Sequence, residues 1–171
     1  MISKLIDNPE TKTLGFKRDL SSPRLVLQTL VAFANSAGSH LIIGVADDRQ
    51  TVGVESPLDE EERLSNLIAD SISPRLVPSI EMITMEGKTL LVVEVFLSGM
   101  RPHFLKAEGQ QSGTYVRLGS TNRLATPQLV AELQRGVRRR ELRCPPDAGT
   151  HAGCPRPQSH CQRFRRSQTH R

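Results

Sequence analysis

The chain of 171 residues has few aromatic side chains: it contains no Trp, one Tyr and five Phe. Its core must therefore be built mainly from Leu, Ile and Val. No apolar run approaches the ~20 residues that a membrane-spanning helix needs, and the N-terminus lacks the apolar centre of a signal peptide. We therefore expect a soluble protein with a cytoplasmic localisation and no membrane partner.

Cysteine is also scarce, and its spacing is unlike that of a metal site. The three residues are Cys144, Cys154 and Cys161, ten and seven positions apart, whereas zinc ligands usually come in pairs two to four residues apart. We expect free, reduced thiols. Residues 113–119 match neither the dinucleotide fingerprint nor the P-loop spacing, so the sequence does not support an ATP site.

The net charge of +5 is unevenly distributed along the chain. Residues 137–171 hold nine Arg against two acidic residues, whereas residues 1–136 hold fourteen basic and sixteen acidic residues. Apolar residues nearly vanish after Gly136, and such a segment cannot bury enough surface to offset its ordering entropy. We predict one domain over residues 1–136 and a disordered Arg-rich tail over residues 137–171, which also reads like truncated or out-of-frame coding sequence.

The rest of the chain is organised around one helix and the strand that follows it. Apolar residues recur at steps of three and four from Leu27 to Ala37, which predicts a helix with one buried face. Ser22 and Pro23 are typical of a helix start, with the Ser22 hydroxyl as the cap. Gly38 is typical of a helix end, where a left-handed residue is often needed.

Two hairpins are predicted after this helix. Residues 41–45 form a continuous apolar run, as in a strand that is covered on both faces. An acidic turn follows, and residues 51–54 are predicted to return antiparallel, which gives a buried hairpin beneath the helix. Residues 79–85 and 89–97, joined by a tight turn, predict a second hairpin.

Further elements complete the fold prediction. Ser56 with Pro57 and Thr126 with Pro127 repeat the cap-then-proline start, for helices over about residues 58–72 and up to about Arg135. The other predicted strands cover residues 10–17, 103–106 and 114–118. Because strands and helices alternate irregularly and short turns join most strands, we predict an α+β fold. It would have a mixed, mainly antiparallel sheet with two to three packed helices.

Several blocks of sequence follow one another in an informative order. They are ETKTLGFK at 10–17, FANSAG at 33–38, LIIGV at 41–45, Asp47-Asp48, Gly53-Val54, ISP at 72–74, RPHF at 101–104 and GTYVRLGSTNRLA at 113–125. Together they resemble the Schlafen/AlbA-type nucleic-acid-binding domain family over about residues 8–136. The resemblance implies a Schlafen/AlbA-like fold and a DNA- or RNA-binding module of a bacterial transcriptional regulator.

An acidic set of side chains is the first candidate site: Glu10 on the first strand, and Asp47 and Asp48 in the turn. Carboxylates on adjacent strand ends can hold Mg²⁺ or Mn²⁺. In the Schlafen branch, the resemblance implies a metal-dependent endoribonuclease with two Glu and one Asp, so Glu10 and Asp47 would be catalytic. The second Glu falls on Gly15, which leaves the set incomplete. Ordinary turn chemistry is the alternative role for the two aspartates.

A set of cations and small polar residues is the second candidate site. Its members are Lys17, Arg18, Lys106, Arg117, Gly119, Ser120, Asn122 and Arg123. Small residues leave backbone N–H groups open to a phosphate oxygen, and the planar fork of Arg suits phosphate. We predict that these cations converge on one concave surface beside the Gly119 turn. The alternative is a solvated sheet edge, where Lys and Arg discourage edge-to-edge pairing.

Three functions stay open at this point. The first is a nucleic-acid-binding module without a cofactor, which would hold phosphates through the cations. The second is the metal-dependent endoribonuclease, weakened by Gly15. The third is a protein-binding dimerisation scaffold, which the net charge of −2 over residues 1–136 keeps open. The exposed edges of a small sheet are also compatible with a homodimer.

Overall fold

The computed structural model describes the backbone of residues 13–141 and the side chains of residues 13–136. Its elements in chain order are β1 Leu14–Lys17, α1 Pro23–Asn35, β2 Ser39–Ile43, α2 Pro57–Ser71, β3 Ile72–Ser73, β4 Ser79–Met85, β5 Lys88–Val95, β6 Phe104–Leu105, α3 Gly109–Gly113, β7 Tyr115–Leu118, β8 Thr121–Leu124 and α4 Pro127–Glu141. The predicted α+β class is confirmed. Among these helices, none combines the length and the apolar character needed to cross a bilayer.

The main sheet has four strands in the order β1-β2-β5-β4. β1 and β2 run parallel, with α1 as the connection between them, and the other two pairs are antiparallel. The predicted mixed, mainly antiparallel sheet is therefore confirmed. β3 pairs with β6, and β7 pairs with β8, in two separate two-stranded sheets.

The two faces of the main sheet bury two different apolar clusters, because side chains alternate between the faces of a strand. The helix-side cluster includes Leu41, Ile43, Leu91 and Val93 of the sheet with Leu30, Phe33, Leu64 and Ile68 of α1 and α2. The opposite cluster includes Leu14, Phe16, Ile42, Leu90 and Val92. Both faces are thus covered, as the continuous apolar runs in the sequence predict.

The hydroxyl caps predicted for two helices are absent, whereas the third is present. The side chains of Ser22 and Ser56 make no capping hydrogen bond. Their ψ angles of 72° and 80° fall short of the extended conformation from which a hydroxyl reaches the first-turn N–H groups. Thr126 does cap its helix, since its Oγ1 accepts a hydrogen bond from the Leu129 N–H at 3.3 Å.

The predicted hairpin over residues 41–54 is confirmed only at its tip. Val45 and Thr51 form an isolated antiparallel bridge, and the N–H groups of Val52 and Gly53 bond to the Gly44 carbonyl oxygen at 2.8 and 2.9 Å, but residues 51–54 do not form a strand. The antiparallel partner of β2 is β5 instead, with Ile42 opposite Val92. β5 is eight residues long with an apolar centre and pairs with all five residues of β2, so it satisfies more of the β2 hydrogen bonds than the four residues after the turn could.

The second predicted hairpin is confirmed as β4 and β5. Its turn is formed by Glu86 and Gly87, which both have positive φ angles, as a two-residue hairpin loop of type I′ requires. Gly38 also adopts a positive φ of 74° after α1. Its N–H bonds to the carbonyl oxygen of Phe33 at 3.1 Å, so the predicted helix end is confirmed.

Three boundaries differ from the sequence-based expectation. β8 was not predicted, because its residues are too polar to show a strand pattern. α4 continues to Glu141 instead of ending near Arg135, so it extends into the segment predicted as a disordered tail. Residues 1–12 and 142–171 lie outside the described part of the chain.

Candidate functional site

A cleft of about 290 Å³ lies between the edge strand β1, the first half of α1 and the β7–β8 hairpin. Its lining includes Gly15 and Lys17 from β1, Gln28 and Thr29 from α1, and Arg117 and Asn122 from the hairpin. Gly15 pairs in register with Leu41 on the helix side of the sheet. Because Gly15 has no side chain, the backbone of β1 itself lines the cleft at this point of the sheet.

Arg117 forms one wall of the cleft and is held by contacts on several sides. Its Nη1 donates to Asn122 Oδ1 at 2.9 Å, and its Nη2 approaches the Leu14 carbonyl oxygen at 3.4 Å. Its Cζ lies 5.1 Å from the centroid of the Phe33 ring, a distance typical of a cation–π contact. Arg117 is 5% exposed, so its guanidinium is fixed in position.

Asn122 links this wall to the helix. While its Oδ1 accepts from Arg117, its Nδ2 donates to Thr29 Oγ1 at 2.9 Å. The Thr29 hydroxyl in turn donates to the Leu25 carbonyl oxygen at 2.8 Å. The polar groups across the cleft are therefore already oriented by one another.

The hairpin is attached to α1 through side chains rather than through a sheet ladder. Asn35 Nδ2 donates to the Tyr115 carbonyl oxygen at 2.9 Å, and the Arg117 N–H donates to Ser36 Oγ at 2.9 Å. Asn35 also exchanges two hydrogen bonds with the backbone of His103, at 2.7 and 2.8 Å. Two polar residues at the end of α1 thus position the cleft wall.

Tyr115 closes the far side of this arrangement. Its hydroxyl donates to Glu108 Oε2 at 2.8 Å and accepts from Gln28 Nε2 at 2.9 Å. Burial raises the pKa of Tyr115, and the hydrogen bond to Glu108 raises it further. Tyr115 is therefore neutral near pH 7, and its hydroxyl links Glu108 to Gln28 of α1.

His103 is fully buried behind Asn35. Its Nδ1 lies 2.8 Å from the Pro74 carbonyl oxygen and its Nε2 lies 2.6 Å from Ser98 Oγ. A carbonyl can only accept, so Nδ1 carries a proton. Burial lowers the pKa of His103, and the charge of Arg101 lowers it further, although the hydrogen bond to Pro74 opposes the shift. The imidazole is therefore neutral near pH 7.

The structure brings some of the predicted cations together and separates others. The cleft is lined by two of the predicted cations, Lys17 and Arg117, and by two of the predicted polar residues, Ser120 and Asn122. Gly119 has a φ of 60° and forms with Ser120 the two-residue turn at the end of the hairpin. Arg123 pairs with Val116 in the register, so it lies on the opposite face of the hairpin from Arg117. The predicted convergence of all the cations is therefore wrong.

Two other predicted cations lie elsewhere on the surface. The Lys106 ammonium donates to the Ala69 carbonyl oxygen at 3.0 Å, in the last turn of α2. A cation at a helix C-terminus is stabilised by the helix dipole, so Lys106 has a structural role there. Arg18 is exposed and its charge contributes, after the Ser21 hydrogen bonds, to a lowered pKa of Asp19.

The predicted acidic set is only partly described. Glu10 lies outside the described residues, while Asp47 and Asp48 are exposed in the turn after β2. Asp48 Oδ1 accepts from the Gln50 N–H at 3.1 Å, which is ordinary turn chemistry. No group of three or more His, Cys, Asp or Glu side chains that could hold a metal ion occurs within residues 13–136.

The Gly15 position does not fit a divalent metal site either. A Cβ at Gly15 would stand 3.7 Å from Arg117 Nη2. A carboxylate from this position would therefore meet a guanidinium, and the guanidinium would repel a metal cation. The described residues of the cleft favour an anion over a metal ion.

Comparison with known protein families gives one match that spans the cleft. The model described as Schlafen, AlbA_2 matches residues 10–126, which include β1, the cleft and the hairpin. The chain belongs to the Schlafen, AlbA_2 family. No curated protein matches the chain significantly.

Solved structures of two proteins are similar to this Schlafen, AlbA_2 domain. One is the N-terminal domain of a Nitrosomonas europaea protein named as related to the ATP-dependent DNA helicase RecG, with 26% identity and a TM-score of 0.52. The match covers 72% of this chain and 92% of that domain. The other is the DIP2311 protein of Corynebacterium diphtheriae, with 16% identity and a TM-score of 0.58 over 78% of this chain and 27% of that one. The second likeness concerns the fold alone.

Sequence reasoning missed the polar residues of α1 that build the site. Gln28 and Thr29 line the cleft, and Asn35 and Ser36 anchor the hairpin. A signal was present, because the two pairs interrupt an apolar helix at a spacing of seven residues. Seven residues are about two helical turns, so Gln28 and Asn35 lie on one side of the helix, and Ser36 directly follows its last residue.

Proposed function

We propose that this Schlafen, AlbA_2 domain binds nucleic acid and holds phosphate groups at the cleft. The observation that carries the proposal is that Lys17 and Arg117 line the same cleft, beside the Gly119–Ser120 turn. Membership of the Schlafen, AlbA_2 family supports the proposal. The similarity to the Nitrosomonas europaea domain, whose protein is named as related to a DNA helicase, supports it as well. Arg117 supplies a planar guanidinium, and Lys17 supplies an ammonium that makes no hydrogen bond or ion pair among the described residues.

The charge distribution requires this binding to be local. Residues 1–136 carry a net charge of −2, so the domain as a whole does not attract a polyanion at long range. The cleft instead offers two cations within a small area, where a phosphate can meet both. Phosphate contacts position a protein on nucleic acid but carry little sequence information. We therefore propose that the cleft binds without base preference.

A salt titration tests the proposal directly. Fluorescence anisotropy with labelled single-stranded and duplex DNA and RNA, at 50 to 300 mM salt, measures the affinity and its salt dependence. We expect log Kd to rise linearly with log salt, because each phosphate contact releases counterions. Lys17→Met should weaken binding several-fold and reduce the slope by about 1.

A matched lysine provides the control. Lys106→Met removes the same charge from a side chain committed to the end of α2, so the affinity and the slope should stay within experimental error of the unmodified chain. Absence of binding to every probe, or a flat salt dependence, would contradict the proposal. If Lys17→Met and Lys106→Met lose the same affinity, the cleft is not the binding site.

Three finer expectations accompany this proposal and stay predictions. They are the role in a bacterial transcriptional regulator, the cytoplasmic localisation and the homodimer. Choice between DNA and RNA is decided by the same titration, because the probes differ in the 2′-hydroxyl that distinguishes the two.

A further inference from the structure

The depth at which Arg117 sits in the cleft restricts what can reach it. Its side chain is 5% exposed and is fixed by Asn122, the Leu14 carbonyl oxygen and the Phe33 ring. The guanidinium therefore cannot swing outward to meet a phosphate on a convex surface. A ligand group has to enter the cleft instead.

Gly15 forms part of the cleft lining beside this guanidinium. A Cβ at this position would lie 3.3 Å from Phe33 Cζ, 3.5 Å from Leu41 Cδ1 and 3.7 Å from Arg117 Nη2. The first two contacts are apolar, while the third is with the cation. These distances leave little free space for a side chain, so glycine at this position allows the β1 backbone to lie directly beside the guanidinium.

The cleft volume limits the size of the entering group. About 290 Å³ is just below the ~300–1,000 Å³ that is typical of small-molecule sites. Such a volume suits a phosphate with its attached sugar rather than a stretch of duplex. Lys17 and Ser120 also line the cleft and can contact the same group.

We propose that this cleft receives the terminal phosphate monoester of an unpaired nucleic-acid strand, with Arg117 at its base and Lys17 beside it. The inference rests on the proposed nucleic-acid function and adds the class of ligand. An internal phosphate is flanked by chain on both sides, so it cannot enter to the depth of Arg117. A terminal phosphate is attached on one side only and carries about −1.5 to −2 charges at pH 7 rather than −1.

End-labelled oligonucleotides test this assignment on the full chain. The probes are ten-nucleotide single strands that carry a 5′-phosphate, a 3′-phosphate or only hydroxyl ends, and a blunt hydroxyl-ended duplex of the same sequence. We expect one phosphate-ended single strand to bind at least ~10-fold more tightly than the hydroxyl-ended strand, since one added charge-assisted contact contributes about that factor.

Competition identifies the source of the phosphate monoester. Unlabelled phosphate-ended oligonucleotide should displace the probe at far lower concentration than a 5′-mononucleotide or inorganic phosphate. If the mononucleotide competes equally well, the phosphate-monoester site is supported and its ligand is a free nucleotide. If none of the three competes preferentially over hydroxyl-ended strands, the inference is overturned.

Substitutions inside the cleft and on the opposite face of the β7–β8 hairpin test where the phosphate end binds. Gly15→Glu places a carboxylate beside Arg117, so the preference for a phosphate end should fall below about twofold. Gly15→Gln, of nearly equal size but neutral, should lose less of the preference, which separates charge from filled volume. Arg123→Gln removes a cation from the opposite face of the same hairpin and should retain the preference. Circular dichroism and thermal unfolding establish that each variant folds.

The outcomes separate this inference from the proposed function. Equal affinity for phosphate-ended and hydroxyl-ended strands overturns the inference, while salt-dependent binding of both leaves the nucleic-acid function standing. An end preference that survives Gly15→Glu, in a variant that folds, overturns the placement in this cleft. Absence of binding to every probe overturns both.

Discussion

Replacing Asn35 with Ala is the most stringent test of how the cleft is held in place. Asn35 is 2% exposed, and its amide makes three hydrogen bonds that join α1 to the segment around β6 and to β7. Two run to the backbone of His103 and one to the carbonyl oxygen of Tyr115. The substitution leaves one N–H and two carbonyl groups of these residues without this partner.

The expected loss of stability follows from that count. A buried polar group left without its partner costs about 1–3 kcal/mol. Carbonyl groups keep a second lone pair and neighbouring losses are not additive, so we expect a total of about 3–5 kcal/mol. Single domains are commonly stable by ~5–15 kcal/mol. Asn35→Ala should therefore fold, if at all, with little margin.

Urea unfolding at pH 7.5, followed by circular dichroism, measures this loss. With a slope of about 2 kcal/mol per molar urea, the midpoint should fall by roughly 1.5–2.5 M. Asn66 is exposed on α2, so Asn66→Ala serves as the matched control and should change stability by less than about 0.5 kcal/mol. A loss below about 1 kcal/mol for Asn35→Ala, at an unchanged slope, would refute the reasoning.

Two further predictions concern titration and backbone conformation. The pKa of His103 is lowered from 6.5 by burial, so the unfolded chain binds a proton more readily than the folded one. The free energy of unfolding should therefore fall as the pH drops below about 6.5, by at most ~1.4 kcal/mol per pH unit from this residue; urea unfolding from pH 8 to 5 checks it, and a flat profile would contradict it. Gly38 and Gly87 both have a φ of 74°. A Cβ at Gly38 would lie 2.8 Å from the Val95 carbonyl oxygen, whereas a Cβ at Gly87 would meet no atom within 4 Å. We expect Gly87→Ala to cost about 1–2 kcal/mol from backbone strain alone and Gly38→Ala to cost clearly more in thermal unfolding; equal costs would count against the close packing at Gly38.

The fold was largely predictable because its signals are local. Proline after a small polar residue marks the starts of α1, α2 and α4, and the apolar run from Leu90 to Val95 marks β5. Strand pairing was less predictable, because it depends on which segments compete for the same edge. The segment after Asp47 looked like the partner of β2, but a longer apolar strand further along the chain takes that place.

The candidate site was predictable in part, and the limit was side-chain direction. Lys17 and Arg117 were identified from residue type and do line one cleft. Arg123 was grouped with them because it is near in sequence, yet the strand register places it on the other face of the hairpin. That register depends on a two-residue turn at Gly119 and Ser120, which the sequence pattern did not indicate without β8.

The seam between the main sheet and the hairpin has a consequence for how such domains diversify. One wall of the cleft belongs to a four-stranded sheet whose register is constrained by two apolar clusters. The other wall is the short β7–β8 hairpin, which side chains at the end and middle of α1 hold in place. Its solvent-facing residues therefore do not determine how the strands of the main sheet pair. Mutations there can reshape the ligand preference of the cleft while the scaffold beneath it stays intact, which allows one fold to acquire different ligands.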